Sequence, residues 1–244
     1  MSAAVLDNIA SNATKMAHVV ADNPYLPVGS FIANYAANEN SVPYLLTLFF
    51  GACGILFTAT YVVAKSTQPH MNGLDLATTM WFVLSGAIHL CFEGYYSLNF
   101  YTMGSKQTIL GQLWKEYAHG DSRYLTNDAF VLCMESVTAW LWGPGCLIVA
   151  YMIIRKHPMR FPLQLIVSLG QFYGDVLYYA TSAFDHIILG KTYSRPEFLY
   201  FWFYFVFMNF IWIVIPGLLM YQSCKRTSAA FTAASKLDSS KKVR

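Results

Sequence analysis

The segment SGAIHLCFEGYY, residues 85–96, sets His89 and Glu93 four residues apart inside an otherwise apolar stretch. The surrounding window, 79–101, reaches the length of about 20 apolar residues that an α-helix needs to cross a bilayer. An ionisable side chain at the centre of such a helix costs roughly 2.5–3.5 kcal/mol on insertion scales. The segment therefore predicts a membrane-spanning helix whose His89 and Glu93 face partners or a cavity rather than lipid.

The whole chain has the composition of a membrane protein. Of its 244 residues 56% are hydrophobic and 12% are charged, about half the charged fraction of a typical globular protein. Windows of sufficient length occur at 43–64, 79–101, 129–154, 161–184 and 198–221. We predict an all-α integral membrane protein, a bundle of five transmembrane helices.

The distribution of Lys and Arg predicts the orientation. Ten of the sixteen basic residues lie in the C-terminal tail, in the 155–160 loop or at Lys65, and basic residues favour the cytosolic side. The prediction is a lumenal N-terminal tail (1–42), a transmembrane domain (43–222) and a cytosolic basic tail (223–244). The ending KKVR resembles a dilysine signal of the endoplasmic reticulum. The sequon Asn12-Ala13-Thr14 is usable only if the N-terminus is lumenal.

Polar side chains recur at one depth in the predicted spans. At a helical rise of about 1.5 Å per residue, the polar residues counted from the lumenal ends of their spans lie roughly 9–17 Å below the lumenal boundary. A lone buried amide or hydroxyl is usually a helix-to-helix contact, and Gln171 and Asp175 are interpreted in that way. Two glutamates and a histidine at one level indicate a functional site. The set comprises His89, Glu93, Glu135, Thr138, Gln171, Asp175 and Asn209.

Several kinds of site lack their sequence signatures. The chain has no Gly-rich phosphate loop, no G-x-S-x-G and no H-E-x-x-H, and its five cysteines show no C-x-x-C spacing. His89 and Glu93 alone supply too few ligands for a closed metal site. We predict no metal, no cofactor and no binding of nucleic acid.

Proton transfer without a cofactor fits what remains. Removal from water favours the neutral form of a carboxyl group, so one acid can donate a proton while a neighbouring base accepts one. Protonation of an alkene gives a carbocation, and loss of another proton shifts the double bond. Trp212 lies three residues after Asn209 on the same helix face, where its ring can face a developing positive charge.

Five segments together resemble the emopamil-binding proteins, the sterol Δ8-Δ7 isomerases of the wider EXPERA group. They lie in family order from the second predicted span to the fifth, whereas the first 42 residues and the first span show no clear match. His119 stands where this family has a basic Lys. The segments are IHLCFEGYY (88–96), LWKEYAHGDSRY (113–124), CMESVTAWLWGP (133–144), LQLIVSLGQFYGDVLYY (163–179) and LYFWFYFVFMNFIWIVIPG (199–217).

The resemblance implies a five-helix fold and conversion of a Δ8-sterol to its Δ7 isomer. Glu93 with His89 would donate and shuttle the proton, and Glu135 would stabilise the cation or take the second proton. The other essential positions would be Thr138 and Asn209, which orient these groups, and Trp212, which faces the cation. Met134 and Tyr117 match positions near the sterol.

The expected partners are a sterol substrate, membrane lipid and cationic amphiphilic amines, which imitate the carbocation. Gly51 and Gly54 would permit close helix contact in a homodimer. Two alternatives stay open at this stage. One is a sterol- or amine-binding membrane protein without turnover. The other is a small transporter or proton conductor, which the absence of a detectable internal repeat disfavours.

Overall fold

The computed structural model describes residues 23–242. The sequon at Asn12 and the first half of the predicted lumenal tail lie outside these residues, as do 243–244. Within the described range every regular element is a helix, and no strand occurs. The predicted all-α class is therefore confirmed for this part of the chain.

Six helices, connected by loops and one short 3-10 turn at Ser122–Tyr124, lie within residues 42–242. Helices α2, α4 and α6 each contain π-helical turns, described below, and α3 is a short helix that the sequence interpretation did not predict. The bounds are α1 Val42–Thr67, α2 Gly73–Ser105, α3 Ile109–Tyr117, α4 Ala129–Ile154, α5 Arg160–Leu189 and α6, which joins Leu199–Phe207 to Met208–Lys242.

Four of these helices, α1, α2, α4 and α6, are long and apolar enough to cross a membrane. The fourth predicted span, 161–184, corresponds to α5, which is 30 residues long but less apolar. Gln164, Gln171 and Asp175, all buried, lower its hydropathy. The count of five spans is thus not confirmed, whereas a multi-pass arrangement of apolar helices is.

Three helices depart from α geometry close to polar residues. The π-helical segments are Ile88–Glu93 in α2, Thr138–Trp142 in α4 and Leu199–Phe207 in α6. The first contains His89, the second begins three residues after Glu135, and the third ends two residues before Asn209. Such i→i+5 turns widen a helix locally and are frequent at functional sites.

Two buried clusters lie on either side of the polar residues. The aromatic cluster includes Tyr96, Val131 and Tyr178, and the aliphatic cluster includes Phe82, Cys146 and Val167. Along α2, α4 and α5 the polar side chains fall between a member of one cluster and a member of the other. The order of the clusters reverses from α2 to α4 and again to α5, so consecutive long helices run antiparallel.

The surface of the bundle is apolar, whereas its interior contains many polar groups. Ile55 of α1 is 74% exposed and Leu218 of α6 is 63% exposed, while Ser85, Gln164 and Ser168 are inaccessible. Water would penalise such a surface, but lipid matches it. The distribution supports a bilayer as the solvent of these helices.

Residues 23–41, part of the predicted N-terminal tail, pack against one end of the bundle. Tyr25 donates a hydrogen bond to the Lys115 carbonyl at 2.8 Å, and the Lys115 ammonium group donates to the Ala36 carbonyl at 2.6 Å. Asn38 donates to the Gln112 carbonyl at 2.9 Å. Helix α3 therefore anchors this segment, which would otherwise leave its backbone polar groups unpaired.

His119, the position that departs from the family's Lys, lies in the loop after α3. Its ring stacks on Tyr25 with centroids 4.7 Å apart and meets Tyr200 at the same distance. Burial lowers the pKa of His119 to about 4. The residue is therefore a neutral packing group at pH 7 and does not replace the charge of a lysine.

Asp121 and Arg123 form a buried ion pair in the same loop, with Arg123 Nη2 donating to Asp121 Oδ2 at 2.7 Å. Arg123 also donates to Thr181 of α5 at 2.9 Å and lies over the Tyr178 ring. The pair ties the loop to α5 and fixes the wall of the site described next.

We expect Arg123→Met to lower the free energy of unfolding by about 3–5 kcal/mol, because the Asp121 carboxylate would remain buried without a partner. The measurement is reversible unfolding in mixed micelles. Arg195→Met, which breaks the more exposed Arg195–Glu197 pair, is the control and should change stability little. Equal effects of the two substitutions would contradict a structural role for the buried pair.

Candidate active site

His89 and Glu93 of α2 are in direct contact. His89 Nδ1 lies 2.7 Å from Glu93 Oε2. His89 is 3% exposed, and the π-helical turn Ile88–Glu93 holds both side chains on one face of α2. The pair is a short, buried hydrogen bond between an imidazole and a carboxyl group.

Gln171 of α5 fixes the other side of the imidazole. Its amide nitrogen lies 3.1 Å from His89 Nε2 and 3.3 Å from Cys146 Sγ. An amide nitrogen only donates, so this contact is a hydrogen bond in the tautomer that carries the ring proton on Nδ1, next to Glu93. Gln171 was interpreted from the sequence as a helix contact, and in the structure its amide also contacts the His89 ring.

Glu135 of α4 is the second buried carboxyl group, 4% exposed. Its Oε1 accepts a hydrogen bond of 2.8 Å from the Tyr124 hydroxyl. Thr138, one turn later, donates to the Glu135 carbonyl at 2.9 Å. That bond satisfies a backbone oxygen at the start of the π turn, so Thr138 holds the helix that carries the carboxylate.

Asn209 links α6 to α3. Its amide donates to the Tyr117 hydroxyl at 3.0 Å and to the Phe205 carbonyl at 2.8 Å, one turn earlier in its own helix. Trp212 lies on the same face, and its ring centroid is 5.0 Å from that of His89. The predicted sharing of one face by Asn209 and Trp212 is therefore seen in the geometry.

Two cavities adjoin these residues, a first of about 140 Å³ and a second of about 60 Å³. Apolar side chains of α1 and α6, such as Phe49 and Phe203, line the first. Polar side chains dominate the second, which includes Gln171 and Asp175. Residues common to both are Glu93, Tyr124, Glu135, Asn209 and Trp212.

The eight residues singled out from the sequence all line one or both cavities. Tyr117 lies on the first cavity only. The second cavity alone is lined by His89, Met134 and Thr138. The remaining four face both cavities, as just given. The structure thus brings together residues that are up to 123 positions apart along the chain, from His89 to Trp212.

Tyr124 and Glu116 are polar residues of the site that were not singled out from the sequence. Tyr124, which bonds Glu135, follows α3 in a loop, where no periodicity reveals which way a side chain points. Glu116, at the end of α3, lines the first cavity and accepts a 3.2 Å hydrogen bond from Tyr204. Burial raises the pKa of Glu116. The concentration of polar residues in 113–124 was the sequence feature that could have pointed to both residues.

The arrangement suits transfer of protons to and from an apolar molecule. Carboxyl groups from two helices reach one space, one paired with an imidazole and the other with a phenol, and an indole ring completes the wall. Within the described residues no group of three His, Cys, Asp or Glu side chains is placed to hold a metal ion.

Comparison with known proteins gives consistent matches. A family model described as EXPERA (EXPanded EBP superfamily) matches residues 109–223. A 3-beta-hydroxysteroid-Delta(8),Delta(7)-isomerase of Rattus norvegicus is 43% identical over 210 residues, which cover 85% of this chain and 90% of the relative. Proteins of the same name from Mus musculus and Cavia porcellus are 42% and 38% identical, covering 85% and 86% of this chain and 90% and 91% of themselves.

We expect Tyr124→Phe to lower the free energy of unfolding by about 1–3 kcal/mol, because a buried oxygen of Glu135 loses its donor. The infrared carboxyl band that disappears in Glu135→Gln should shift in the same variant. Tyr101→Phe, at a tyrosine that is 76% exposed, is the control and should stay within about 0.5 kcal/mol. An unshifted band would mean that Tyr124 does not bond Glu135.

Proposed function

The chain belongs to the EXPERA family that contains the 3-beta-hydroxysteroid-Delta(8),Delta(7)-isomerases, and we propose that it catalyses the same isomerisation of a sterol double bond. The observation that carries the proposal is the pair of carboxyl groups, Glu93 and Glu135, facing two adjoining cavities beside Trp212. These groups supply an acid, a base and an aromatic face without a cofactor.

The reaction is balanced by one proton added and one removed. A carboxyl group gives a proton to C9, the C8–C9 π bond breaks, and positive charge develops at C8. The C7–H bond then breaks, its electron pair forms the C7–C8 double bond, and a base takes the proton. Both steps avoid charge separation over long distances only if donor and acceptor lie close to the sterol B ring.

Glu93 and His89 form the proton-donating pair in this proposal. The 2.7 Å contact between them lets the imidazole resupply the carboxylate after donation. Glu135, on the facing helix α4, stabilises the cation and takes the proton from C7. Its bond from Tyr124 holds the carboxyl group in one orientation, which is a requirement for electrostatic stabilisation.

The remaining residues orient the pair and the substrate. Thr138 supports the helix turn of Glu135, and Asn209 holds Tyr117 against the first cavity. Trp212 presents its ring to the developing charge, an arrangement worth about 0.5–2 kcal/mol for a cation over an indole. Met134 and Tyr117 contact the sterol.

Product formation by purified protein tests these roles. We expect Glu135→Gln and His89→Ala each to lower kcat by about 10²–10⁴-fold, the usual contribution of a general acid or base. Glu197→Gln, at an exposed glutamate outside the site, is the matched control and should retain activity. Sterols are separated and identified by mass spectrometry.

Heavy water distinguishes an enzyme from a protein that only binds sterols or amines. In deuterated buffer the Δ7 product should carry deuterium at C9, because the donated proton comes from an exchangeable carboxyl group. Unlabelled product would exclude direct protonation by Glu93. Absence of any product in the wild-type protein, with sterol still bound, would establish the non-catalytic alternative.

Cationic amphiphilic amines are proposed as inhibitors of the same site. An ammonium group at the position of the sterol cation would face Glu93, Glu135 and the Trp212 ring, while its apolar part occupies the first cavity. Competition between such an amine and the sterol substrate measures this, and non-competitive inhibition would place the amine elsewhere.

The membrane arrangement completes the proposal. We propose five spans, namely α5 in addition to the four apolar helices α1, α2, α4 and α6. We also propose an endoplasmic-reticulum location with a cytosolic C-terminus. The support is the length of α5 and the basic residues near its N-terminus and in the tail. Protease cleavage of a C-terminal tag in sealed microsomes tests the orientation, because a lumenal tag would be protected.

A homodimer through α1 is proposed from its open outer face. A Cβ atom added at Gly51 or Gly54 would meet no packed neighbour within 4 Å. A second copy can therefore approach α1 closely at these positions. Co-purification of two differently tagged copies tests it, and its loss in Gly54→Leu would locate the contact. Full co-purification of that variant would place the interface elsewhere.

A further inference from the structure

The second cavity has more polar groups than the proposed roles use. Three side chains of α5 border it: Gln171, Asp175 and Tyr178. They are one turn apart along the helix, so they form a single stripe. Gln171 uses its amide nitrogen to hold His89, but neither Asp175 nor Tyr178 has a role in the steps described above.

Two of these residues have a buried polar atom that accepts no hydrogen bond from the described part of the protein. The atoms are Gln171 Oε1 and Asp175 Oδ2, whereas the Tyr178 hydroxyl interacts with the Asp121 carboxylate. Gln171 and Asp175 are 4% and 8% exposed, respectively. Leaving such groups buried and unpaired costs about 1–3 kcal/mol each, so two such groups bordering one cavity indicate a ligand that bonds both.

Water is the ligand whose size and chemistry fit. A buried water makes about three hydrogen bonds and needs roughly 10–15 Å³ of cavity volume. The second cavity measures about 60 Å³, which accommodates roughly four waters on that basis. An apolar sterol portion would leave both polar atoms unpaired and would therefore be excluded.

The position of the cavity connects the two ends of the reaction. Glu93 and Glu135 line both cavities, and His89 lines the second cavity only. The proposed reaction takes a proton from one carboxyl group and delivers another to a different group. Before the next turnover, one proton must return from the acceptor to the donor.

We infer that the second cavity holds a chain of waters, positioned by Asp175 and Gln171, that returns this proton between the two carboxyl groups. The inference rests on the proposed isomerase function. A proton passes from the C7 acceptor into the water chain, and a different proton of the chain reaches the C9 donor, so no proton is gained or lost over a cycle. Asp175 is a positioning residue in this scheme, because it acts through water and not on the sterol.

Asp175→Asn tests the relay with little change of shape. We expect kcat to fall by about tenfold or more and KM to stay unchanged. The decrease in kcat should be smaller than the decrease caused by removing a general acid or base itself. The solvent deuterium isotope effect on kcat should rise, because proton return has become the slow step. Asp185→Asn, on the same helix and bonded to Tyr193 outside the cavity, is the control and should match the wild type.

Other outcomes would overturn the relay. Unchanged kcat and isotope effect would show that protons return by another route, while the isomerase function would stand. A raised KM with unchanged kcat would make Asp175 a substrate contact. A lower thermal midpoint with loss of amine binding, and no rise of the isotope effect, would make it a structural residue.

A measurement independent of turnover separates this inference from the proposed function. A high-resolution crystal structure of the wild-type chain in lipid should show ordered water bonded to Asp175 Oδ2 and Gln171 Oε1. Those waters would support the chamber even if the purified protein isomerised no sterol. Lipid or sterol atoms against these oxygens would overturn the inference, whatever the activity.

Discussion

The fold depends on one constraint, which is that carboxyl groups buried between apolar clusters must be hydrogen-bonded. His89 meets this need for Glu93 and Tyr124 meets it for Glu135. The first bond forms within α2, where Gln171 of α5 contacts the other side of the imidazole, whereas Tyr124 reaches Glu135 from a separate loop. The polar layer therefore forces the helices and the loop before α4 into one relative position.

The π-helical turns follow from the same constraint. In an α-helix a residue such as His89 shares its face with Glu93 at a fixed spacing, and the widened turn changes how the two project into the bundle. The turn in α6 leaves backbone oxygens to be satisfied, and the Asn209 amide bonds those of Tyr204 and Phe205. Side-chain bonding to the backbone thus stabilises irregular turns that lipid alone would penalise.

Much of the site could be predicted from the sequence because the helical rise converts position into depth. Glu93, Glu135 and Asn209, measured from opposite ends of their spans, were placed in one layer, and they line the same two cavities. The loop residue Tyr124 could not be placed, because loops have no fixed rise. The docking of residues 23–41 on α3 was equally unpredictable, since it depends on single contacts such as Lys115 to Ala36.

Helix α5 shows why composition alone misjudges a membrane bundle. Gln171 and Asp175 reduce its hydropathy below that of the other long helices, yet both side chains point inward, while Ile166 and Leu169 are exposed. In the proposed five-span arrangement lipid contacts this outer face, and the mean hydropathy of the helix understates its compatibility with a bilayer. The residues that lower this mean, Gln171 and Asp175, are residues that line the second cavity. Low mean hydropathy and the polar lining of the cavity therefore have one cause.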